Sequence, residues 1–452
     1  MIQPVSADSS ALLALHAAFP ERYPALFESA AAGNATTRFD ILFAYPQDRL
    51  TLQRDGVIDP AVGTGGFLSA LDQWFARERT STPTTSVPFT GGWLLYLGYE
   101  LAGEIEPRLH LSAPAAGPIA SAIRVPAAII HERNSGKSWL IAEAASESLL
   151  ARMADDLAHV PALRAPSVSL VTGGVSEDAP DKFLRSVERA LEYIAAGDIY
   201  QANLSRSWQA TLNAGITPQH LYQRLRQTNP APFSGIVQLD GITVVSSSPE
   251  RLVSVRDDHV STRPIAGTRP RGQTAADDVD LARELHAHPK ERAEHVMLID
   301  LERNDLGRIC EAGTVKVDEF MTIESYAHVH HIVSNVSGTL RPDATPGDVL
   351  RAVFPGGTIT GCPKVRCMEI IAELEGVARG AYTGSFGYLN RDGSMDLNIL
   401  IRTLEVAGDR LTLRAGAGIV ADSIPERELA ETRAKARGVL RALGSDAEGI
   451  GA

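Results

Sequence analysis

The 452-residue sequence has little cysteine, no long apolar run and no surplus of basic residues. Its three cysteines are too few, and odd in number, for a disulfide framework, which favours a reducing compartment. No window approaches the roughly 18 apolar residues that a membrane span needs. The amino-terminal segment also lacks the basic leader of a signal peptide. A soluble, cytoplasmic protein that does not enter a membrane is therefore predicted.

The charge balance is acidic, with 43 Lys and Arg residues against 55 Asp and Glu residues and a formal net charge of −12. This excess of negative charge argues against broad binding to nucleic acid or to an anionic membrane, both of which need a basic face. An anionic substrate would need a local positive site made of Arg, Lys or a metal ion.

Strand-like and helix-like segments alternate in groups along the chain, without strict βαβ alternation. Strands are predicted for RFDILFAYP, GGWLLYLGY, HIVSNVSGTL, MDLNILIRTLEV and RLTLRAGAGIV, among others. The pattern predicts an α+β fold with large, mostly antiparallel sheets. A stretch rich in Pro, Gly and Ser at residues 160–180 is the best candidate for a boundary, which separates an amino-terminal region, 1–165, from a second unit, 175–445.

Two predicted helices each begin with a proline and carry acidic residues on one face. The first starts at Pro289 and the second at Pro425. The simplest interpretation is a solvated charged face on each helix. If the two faces converged, their carboxylates would repel one another unless a hard cation such as Mg²⁺ lay between them. The residues in question are Glu291 and Glu294 on the first helix, and Glu428, Glu431 and Lys435 on the second.

Glycine-rich segments indicate places where the backbone could approach a ligand closely. FPGGTITGCPK, residues 354–364, has only a superficial likeness to a phosphate-binding loop, because Pro363 offers no N–H group. Two interpretations stay open: a tight turn before a helix, or a turn whose N–H groups and Thr358 contact a ligand. In RAGAGIV, Gly416 and Gly418 interrupt a strand and leave the same choice open.

Three further features carry polar chemistry of uncertain purpose. The basic loop RPIAGTRPRG is either solvated or a source of positive charge for a carboxylate site. His331 is either a buried structural histidine or a catalytic one. Glu250 follows a strand, and its carboxyl group could act as a general acid if burial raised its pKa.

Taken together, these segments closely resemble the chorismate-utilising enzymes, which include the component I subunits of anthranilate synthase and aminodeoxychorismate synthase and the isochorismate and salicylate synthases. The segments DIYQANLSR, SSSPERLV, RPIAGTRPRG, KERAEHVMLIDLERNDLGRIC, PGGTITGCPK, YTGSFGY, AGAGIV and DSIPERELAETRAKA appear in the family's order. The resemblance implies two large, mostly antiparallel sheets packed as a sandwich with helices outside. It makes 175–445 a chorismate-binding catalytic domain and 1–165 the family's more variable amino-terminal region.

The resemblance also implies roles for individual residues. Glu294 and Glu431 would bind Mg²⁺ directly, and Glu291 and Glu428 would act through bound water. Glu250 would be the general acid that protonates the departing C4 hydroxyl group of chorismate. The positions expected to surround the substrate, some of them catalytic, are His331, Thr358, Tyr382, Arg402, Gly416, Gly418 and Lys435.

Two positions bear on the choice of product. Gln201 stands where isochorismate and salicylate synthases carry a water-activating lysine, so ammonia is the expected nucleophile. FPGGTITGCPK and MDLNILIRTL favour aminodeoxychorismate synthase of the folate and p-aminobenzoate pathway. Ala266 stands where many of those enzymes carry a lysine nucleophile, which leaves anthranilate synthase component I of the tryptophan pathway as an alternative.

A non-catalytic regulatory subunit of the same fold is a further alternative. The sequence has no segment that resembles a glutaminase, so a separate glutamine amidotransferase subunit is expected to supply the ammonia.

Overall fold

The computed structural model describes residues 1–30, 38–61, 65–81, 86–325 and 329–444. Within them lie 11 α-helices and 23 β-strands, as the α+β prediction requires. The strands are β1 Ile2–Val5, β2 Ala25–Glu28, β3 Phe39–Ala44, β4 Arg49–Leu52, β5 Ile58–Asp59, β6 Gly92–Leu97, β7 Ala120–Val125, β8 Ala127–Glu132, β9 Lys137–Ala142, β10 Val171–Glu177, β11 Gln201–Leu212, β12 Phe233–Leu239, β13 Ile242–Ser248, β14 Arg251–Arg256, β15 His259–Thr262, β16 Ile265–Pro270, β17 Lys316–Ser325, β18 Val329–Thr339, β19 Gly361–Cys362, β20 Ser385–Asn390, β21 Met395–Asn398, β22 Thr403–Ala407 and β23 Arg410–Ile419.

The helices include several of the long segments predicted from sequence. Pro289 and Pro425 each occupy the first turn of a helix, as predicted, because a helix leaves that N–H group unbonded in any case. No helix in the described ranges is both long and apolar enough to cross a bilayer. The helices are α1 Ser9–Ala18, α2 Phe67–Glu78, α3 Ala102–Ile105, α4 Ser148–His159, α5 Pro180–Ala195, α6 Pro218–Thr228, α7 Ala275–Ala287, α8 Pro289–Gly307, α9 Pro346–Val353, α10 Lys364–Glu375 and α11 Pro425–Ala442.

The strands form two large antiparallel sheets. The first has 12 strands in the order β1-β9-β8-β3-β2-β12-β13-β22-β23-β11-β10, with β19 also paired to β11. The second has 11 strands in the order β16-β18-β15-β14-β21-β20-β6-β7-β4-β5, with β17 also paired to β18. Both sheets take strands from either side of residues 160–180, since β2 pairs with β12 and β6 pairs with β20.

Three apolar layers make the sandwich that the resemblance implied. The layer between the sheets contains aromatic rings from both, and Phe27 of the first sheet stacks on Phe386 of the second with ring centroids 4.6 Å apart. Burying each such ring contributes about 1.5–3 kcal/mol. On the outer faces, α1, α4, α6 and α11 cover the first sheet, and α2, α8 and α9 cover the second.

One predicted strand is wrong. The run MDLNILIRTLEV reads as a continuous strand, but it forms β21 of the second sheet and β22 of the first. Between them the backbone leaves the extended region, and Arg402 has a φ of 53°. The chain therefore crosses from one sheet to the other at this point, and the crossing carries a residue of the candidate site.

Candidate active site

The residues singled out in the sequence lie on both sheets and on two helices. The charged ones among them are close enough to influence one another's pKa, and the region they share is called the cleft below. Glu250 interacts with Arg402 and Lys435, and Glu294 interacts with Lys435 and Glu431. Gln201 begins β11, Glu250 follows β13, Ala266 lies on β16, Glu291 and Glu294 on α8, His331 on β18, Thr358 in a 3₁₀ turn at Gly357–Ile359, Tyr382 before β20, Arg402 at the sheet crossing, Gly416 and Gly418 on β23, and Glu428, Glu431 and Lys435 on α11.

Glu250 is the most deeply enclosed carboxyl group of the set. Only 4% of the residue is exposed, and burial raises its pKa to about 7. The Thr358 hydroxyl, the Ile265 N–H and the positive charges of Lys435 and Arg402 offset part of that shift. None of them hydrogen bonds to Oε1, which is buried without a partner. A carboxylic acid that keeps its proton near neutral pH and has an unused oxygen is suited to donate that proton.

The Arg402 guanidinium provides positive charge beside this acid. Burial lowers the pKa of Arg402, and the Glu250 carboxylate partly restores it. Among the residues that the structure describes, no carboxylate forms a salt bridge with Arg402. His331 lies close by on β18, where burial and then the charge of Arg402 lower its pKa to about 3. His331 is therefore neutral, and its ring bonds to the backbone of Gly267.

The two glycines of β23 leave room that a side chain would fill. A Cβ atom on Gly416 would lie 2.6 Å from the Tyr382 hydroxyl oxygen and 2.7 Å from the backbone oxygen of Leu204. One on Gly418 would lie 2.5 Å from Nε2 of Gln201. Such distances are too short for real Cβ contacts. Position 416 therefore requires glycine, because the backbone oxygen of Leu204 cannot move away, whereas a side chain at position 418 would displace the end of the Gln201 side chain.

The acidic helices bring three carboxylates and a lysine to the same cleft. Burial first, and then the charge of Glu291, raise the pKa of Glu294, and Glu431 adds to this effect. Gln201 donates from Nε2 to Oε1 of Glu294 over 3.2 Å, and Lys435 bonds to Glu431 over 2.8 Å. Burial alone would lower the pKa of Lys435, but the Glu431 carboxylate raises it overall.

Lys435 and Glu431 are half accessible, with 49% and 47% of their side chains exposed. Protein nevertheless surrounds Lys435 closely enough to desolvate it. Both observations fit the wall of an open cleft. Glu428 lies one turn before Glu431 on α11 and is 8% exposed.

The donor set of this cleft suits a hard cation such as Mg²⁺, which prefers carboxylate oxygens and keeps several waters. Burial is the main reason for the raised pKa of Glu294, and the neighbouring charges of Glu291 and Glu431 add a part that a cation would relieve. Within the described part of the chain, however, no three His, Cys, Asp or Glu side chains are grouped closely enough to hold a metal by themselves. Arg269 and Lys435 pair with Glu291 and Glu431 instead.

Two positions flank the buried acid. Ala266 is 6% exposed on β16, next to Ile265, whose N–H group lies near Glu250. Its methyl group has no nucleophilic atom. Thr358 lies in the short 3₁₀ turn, and its buried hydroxyl is near the Glu250 carboxyl group, whose pKa it helps to lower. The turn interpretation and the ligand interpretation of FPGGTITGCPK are therefore compatible, because the turn places a hydroxyl group beside Glu250.

The sequence interpretation missed a set of buried charges behind Tyr382. Glu375 binds both Arg379 and Arg414, and both guanidinium groups lie near the Tyr382 ring. A second buried pair, Lys364 with Asp305, joins α10 to α8 over 2.5 Å. Nothing in the sequence connects these residues with one another, and only the fold brings the members of each set together.

The family model described as chorismate binding enzyme matches residues 25–441. The aminodeoxychorismate synthase component 1 of Bacillus subtilis strain 168 is 41% identical over 390 residues, which cover 84% of this chain and 82% of that protein.

An anthranilate synthase component I-like protein of Synechocystis is 45% identical over 360 residues, covering 79% of this chain and 73% of that protein. Among solved structures, anthranilate synthase component I from Streptococcus pneumoniae TIGR4 superposes with a TM-score of 0.80 and 33% identity. That match covers 90% of this chain and 93% of that one.

Proposed function

Because the chain belongs to the family of chorismate binding enzymes, we propose that it aminates chorismate with ammonia to give 4-amino-4-deoxychorismate. The observation that carries this proposal is the buried Glu250 carboxyl group, whose pKa is about 7 and which faces the cations Arg402 and Lys435. A proton donor beside two positive charges suits a substrate that carries two carboxylates and loses a hydroxyl group.

The proposed reaction replaces one group at C4 and conserves all atoms. Glu250 gives its proton to the C4 hydroxyl, the C–O bond breaks, and water leaves. The ammonia nitrogen forms the new C–N bond and gives up a proton, which restores Glu250 to its acid form. One ammonia is consumed and one water is released for each chorismate.

Substrate binding is assigned to the groups that line the cleft. Arg402 and Lys435 would hold the enolpyruvyl carboxylate, with the Tyr382 hydroxyl and the glycines of β23 forming the adjoining wall. Thr358 would offer its hydroxyl beside Glu250. His331 is neutral and would add a hydrogen bond without adding charge.

A bound Mg²⁺ would neutralise the ring carboxylate of the substrate. Glu294 and Glu431 are the proposed direct ligands, and Glu291 and Glu428 would hold its waters. In the structure Lys435 pairs with Glu431 and Gln201 donates to Glu294. Binding of the ion requires both carboxylates to release these partners. Lys435 would then be free to bind the substrate.

Ammonia is the proposed nucleophile because Gln201 is a neutral amide and cannot act as a base toward water. In the structure its Nε2 donates to Glu294, and its Oε1 is buried without a hydrogen bond partner. That oxygen could accept a hydrogen bond from incoming ammonia. We propose that a glutamine amidotransferase subunit supplies the ammonia.

A second candidate, anthranilate synthase component I, is favoured by one residue. Ala266 cannot form a covalent adduct at C2, a step expected of aminodeoxychorismate synthases that carry lysine there. Ammonia would then attack C2 while the protonated C4 hydroxyl group leaves as water, and elimination of pyruvate would give anthranilate. Relatives bearing both names match this chain at similar identity.

A product assay tests the proposal. The protein is incubated with chorismate, Mg²⁺ and ammonium, with and without an aminodeoxychorismate lyase, and with EDTA as the control for the metal. We expect p-aminobenzoate only when the lyase is present and no product with EDTA. Anthranilate and pyruvate in the absence of lyase would establish the second candidate instead.

The same assay addresses the non-catalytic alternative. A Glu431→Gln variant is expected to lose most activity because it removes a metal ligand and the partner of Lys435. Turnover equal to that of the unmodified protein would contradict the site proposed here. Absence of any chorismate conversion would leave only a regulatory role.

A further inference from the structure

A cluster of fully buried charges lies directly behind Tyr382. At its centre, Oε1 of Glu375 accepts hydrogen bonds from the Ser205 N–H over 2.8 Å, the Ser205 hydroxyl over 2.8 Å and Nη2 of Arg379 over 2.7 Å. Its Oε2 accepts from Nε of Arg379 over 3.1 Å and from Nη2 of Arg414 over 2.9 Å. Five donors therefore hold one carboxylate.

The cluster has more positive charge than negative charge. Burial alone would raise the pKa of Glu375, but Arg379 and Arg414 hold it below its usual value, so the carboxylate is ionised. Two guanidinium groups thus face one carboxylate. A charge in the protein interior that no opposite charge balances lowers the stability of the fold.

Neighbouring carboxyl groups bind the backbone and not the guanidinium groups of the cluster. Glu100 directs its oxygens to the backbone N–H groups of Arg379 and Gly380, and burial raises its pKa to about 7. Glu405 accepts from the Ala381 N–H over 3.1 Å, and burial raises its pKa as well. Neither forms a salt bridge with a guanidinium group of the cluster within the described residues.

The surplus charge is connected to the candidate site through Tyr382. The guanidinium carbons of Arg379 and Arg414 lie 5.4 Å and 6.0 Å from the centroid of the Tyr382 ring. Arg379 also donates to the backbone oxygens of Ile359, over 3.2 Å, and Asn203, over 2.6 Å. Ile359 follows Thr358 in the 3₁₀ turn, and Asn203 lies two residues after Gln201, so Arg379 joins three walls of the cleft.

We propose that Arg414 and Arg379 are positioning residues for the anionic substrate. They hold the Tyr382 ring and place behind it a positive charge that the carboxylates of chorismate balance on binding. This inference rests on the proposed function of the same cleft, and it adds residues that do not touch the substrate.

The sign of the charge separates this role from simple structural support. Arg414→Met takes the cluster from a net charge of plus one to zero, whereas Glu375→Gln takes it to plus two. If the cluster acts on the substrate through its charge, the first change weakens binding and the second does not. If the cluster only holds the fold, both changes weaken binding.

The experiment measures KM for chorismate and kcat with Mg²⁺ and ammonium for both variants and for Arg414→Lys. For Arg414→Met we expect KM to rise about tenfold with kcat changed much less, since the lost charge lies behind the pocket and not at the reacting atoms. Arg414→Lys should restore most of the affinity, and Glu375→Gln should leave KM unchanged or lower. A matched control is Arg124→Met, which removes another buried arginine held by two carboxylates, Glu78 and Glu143.

Equal increases in KM for Arg414→Met and Glu375→Gln, or an unchanged KM for Arg414→Met, would overturn the inference. If Glu375→Gln does not fold, a double-mutant cycle of Arg414→Met with Tyr382→Phe replaces it. Effects on KM that are not additive support an action through Tyr382, and additive effects contradict it.

Calorimetric binding of the dicarboxylate isophthalate separates failure of the inference from failure of the proposed function. If the protein does not convert chorismate, the proposed function fails. Weaker isophthalate binding by Arg414→Met than by the unmodified protein would still support a role for the positive charge behind Tyr382 in binding dicarboxylates. Equal binding by the two proteins would contradict that role.

Discussion

Two buried carboxyl groups, Glu250 and Glu302, show how position decides what the same chemical group can do. Glu250 faces the cleft with its cations, whereas Glu302 lies behind the glycine-rich turn, where a Cβ atom on Gly357 would be 3.5 Å from its Oε1. Burial raises the pKa of Glu250 to about 7, and burial with the nearby charge of Asp305 raises that of Glu302 to about 8. The first is a candidate for catalysis, and the second contributes to the pH dependence of stability.

The pH dependence of turnover tests the role of Glu250. If its protonated form is the acid catalyst, kcat should fall as pH rises above about 7, approaching tenfold for each further pH unit. Glu250→Gln should lower kcat by about 10²–10⁴-fold. The measurement is kcat at saturating chorismate from pH 6 to 9, with free ammonia held constant. A flat profile, or a Gln variant of normal activity, would exclude this role.

Thermal unfolding at two pH values tests Glu302. Because its pKa in the fold is raised from 4.5 to about 8, the stability linked to its proton is present at pH 4.5 and is lost as pH rises through 8. The Glu302→Gln variant needs no proton at this position. At pH 8.5 it should unfold at a higher temperature than the unmodified protein, with a free energy of unfolding larger by on the order of 1–3 kcal/mol, whereas at pH 5 the two should not differ. The exposed Glu188→Gln is the control. A gain that is equal at both pH values would argue against the raised pKa.

At the scale of single elements, the sequence indicated what lies within one helix or strand. Pro289 and Pro425 mark the first turns of α8 and α11 because their rings suit only that position. The acidic faces of both helices were visible as spacings of three residues. Spacing alone could not tell whether those faces are solvated or converge, because that depends on the fold. The expectation that they converge came from the resemblance to a family.

Contacts between elements were beyond the reach of sequence patterns. The apolar run that becomes β21 and β22 has no signal for the change of sheet, because its side chains are buried on both sides of Arg402. Likewise Glu375 and Arg414 lie far apart in the chain, and each satisfies its local pattern. A hydrophobic pattern in the sequence predicts which side of one helix or strand is buried. It does not predict which other element packs against that side.

The contact between α8 and α10 offers a test at this scale. Lys364 and Asp305 join the two helices over 2.5 Å, with 14% and 8% of their side chains exposed. Lys364→Met should lower the free energy of unfolding by about 3–5 kcal/mol, because it leaves a buried carboxylate without its partner. Denaturant unfolding would measure the change.

Two further variants complete that test. The double variant Lys364→Met with Asp305→Asn should recover part of the loss, since it removes the stranded charge. Arg283→Met breaks a pair with Asp280 that is 71% and 72% exposed, and it should change stability little. A loss from Lys364→Met no larger than that of Arg283→Met would show that the helix contact does not depend on this pair.

On the scale of the whole molecule, the two sheets cannot be divided at residues 160–180. Strands of the amino-terminal region lie inside both sheets, since β2 lies between β3 and β12, and β6 lies between β7 and β20. The central apolar layer also takes side chains from both regions, among them Phe43 and Phe386. The family model likewise runs through this stretch, over residues 25–441.

Deletion of residues 1–165 tests this interdependence. The remaining chain would lose the partners of β12 and β20 and one side of the central layer, so we expect no cooperative thermal transition by circular dichroism. Co-expression with a separate 1–165 fragment should restore folding, because the missing strands return. A cooperative transition in the shortened chain alone would show that the carboxyl-terminal region folds independently.

The pairing of β2 with β12 has a consequence for synthesis on the ribosome. Glu28 pairs with Ser234, so the nascent strand waits while about 200 more residues are translated, which at about 5–20 residues per second takes on the order of 10–40 s. During that interval the edge of β2 that pairs with β12 has no partner. A chain of this topology therefore depends on nascent-chain chaperones or on slow, late assembly more than one whose strands pair with their immediate successors.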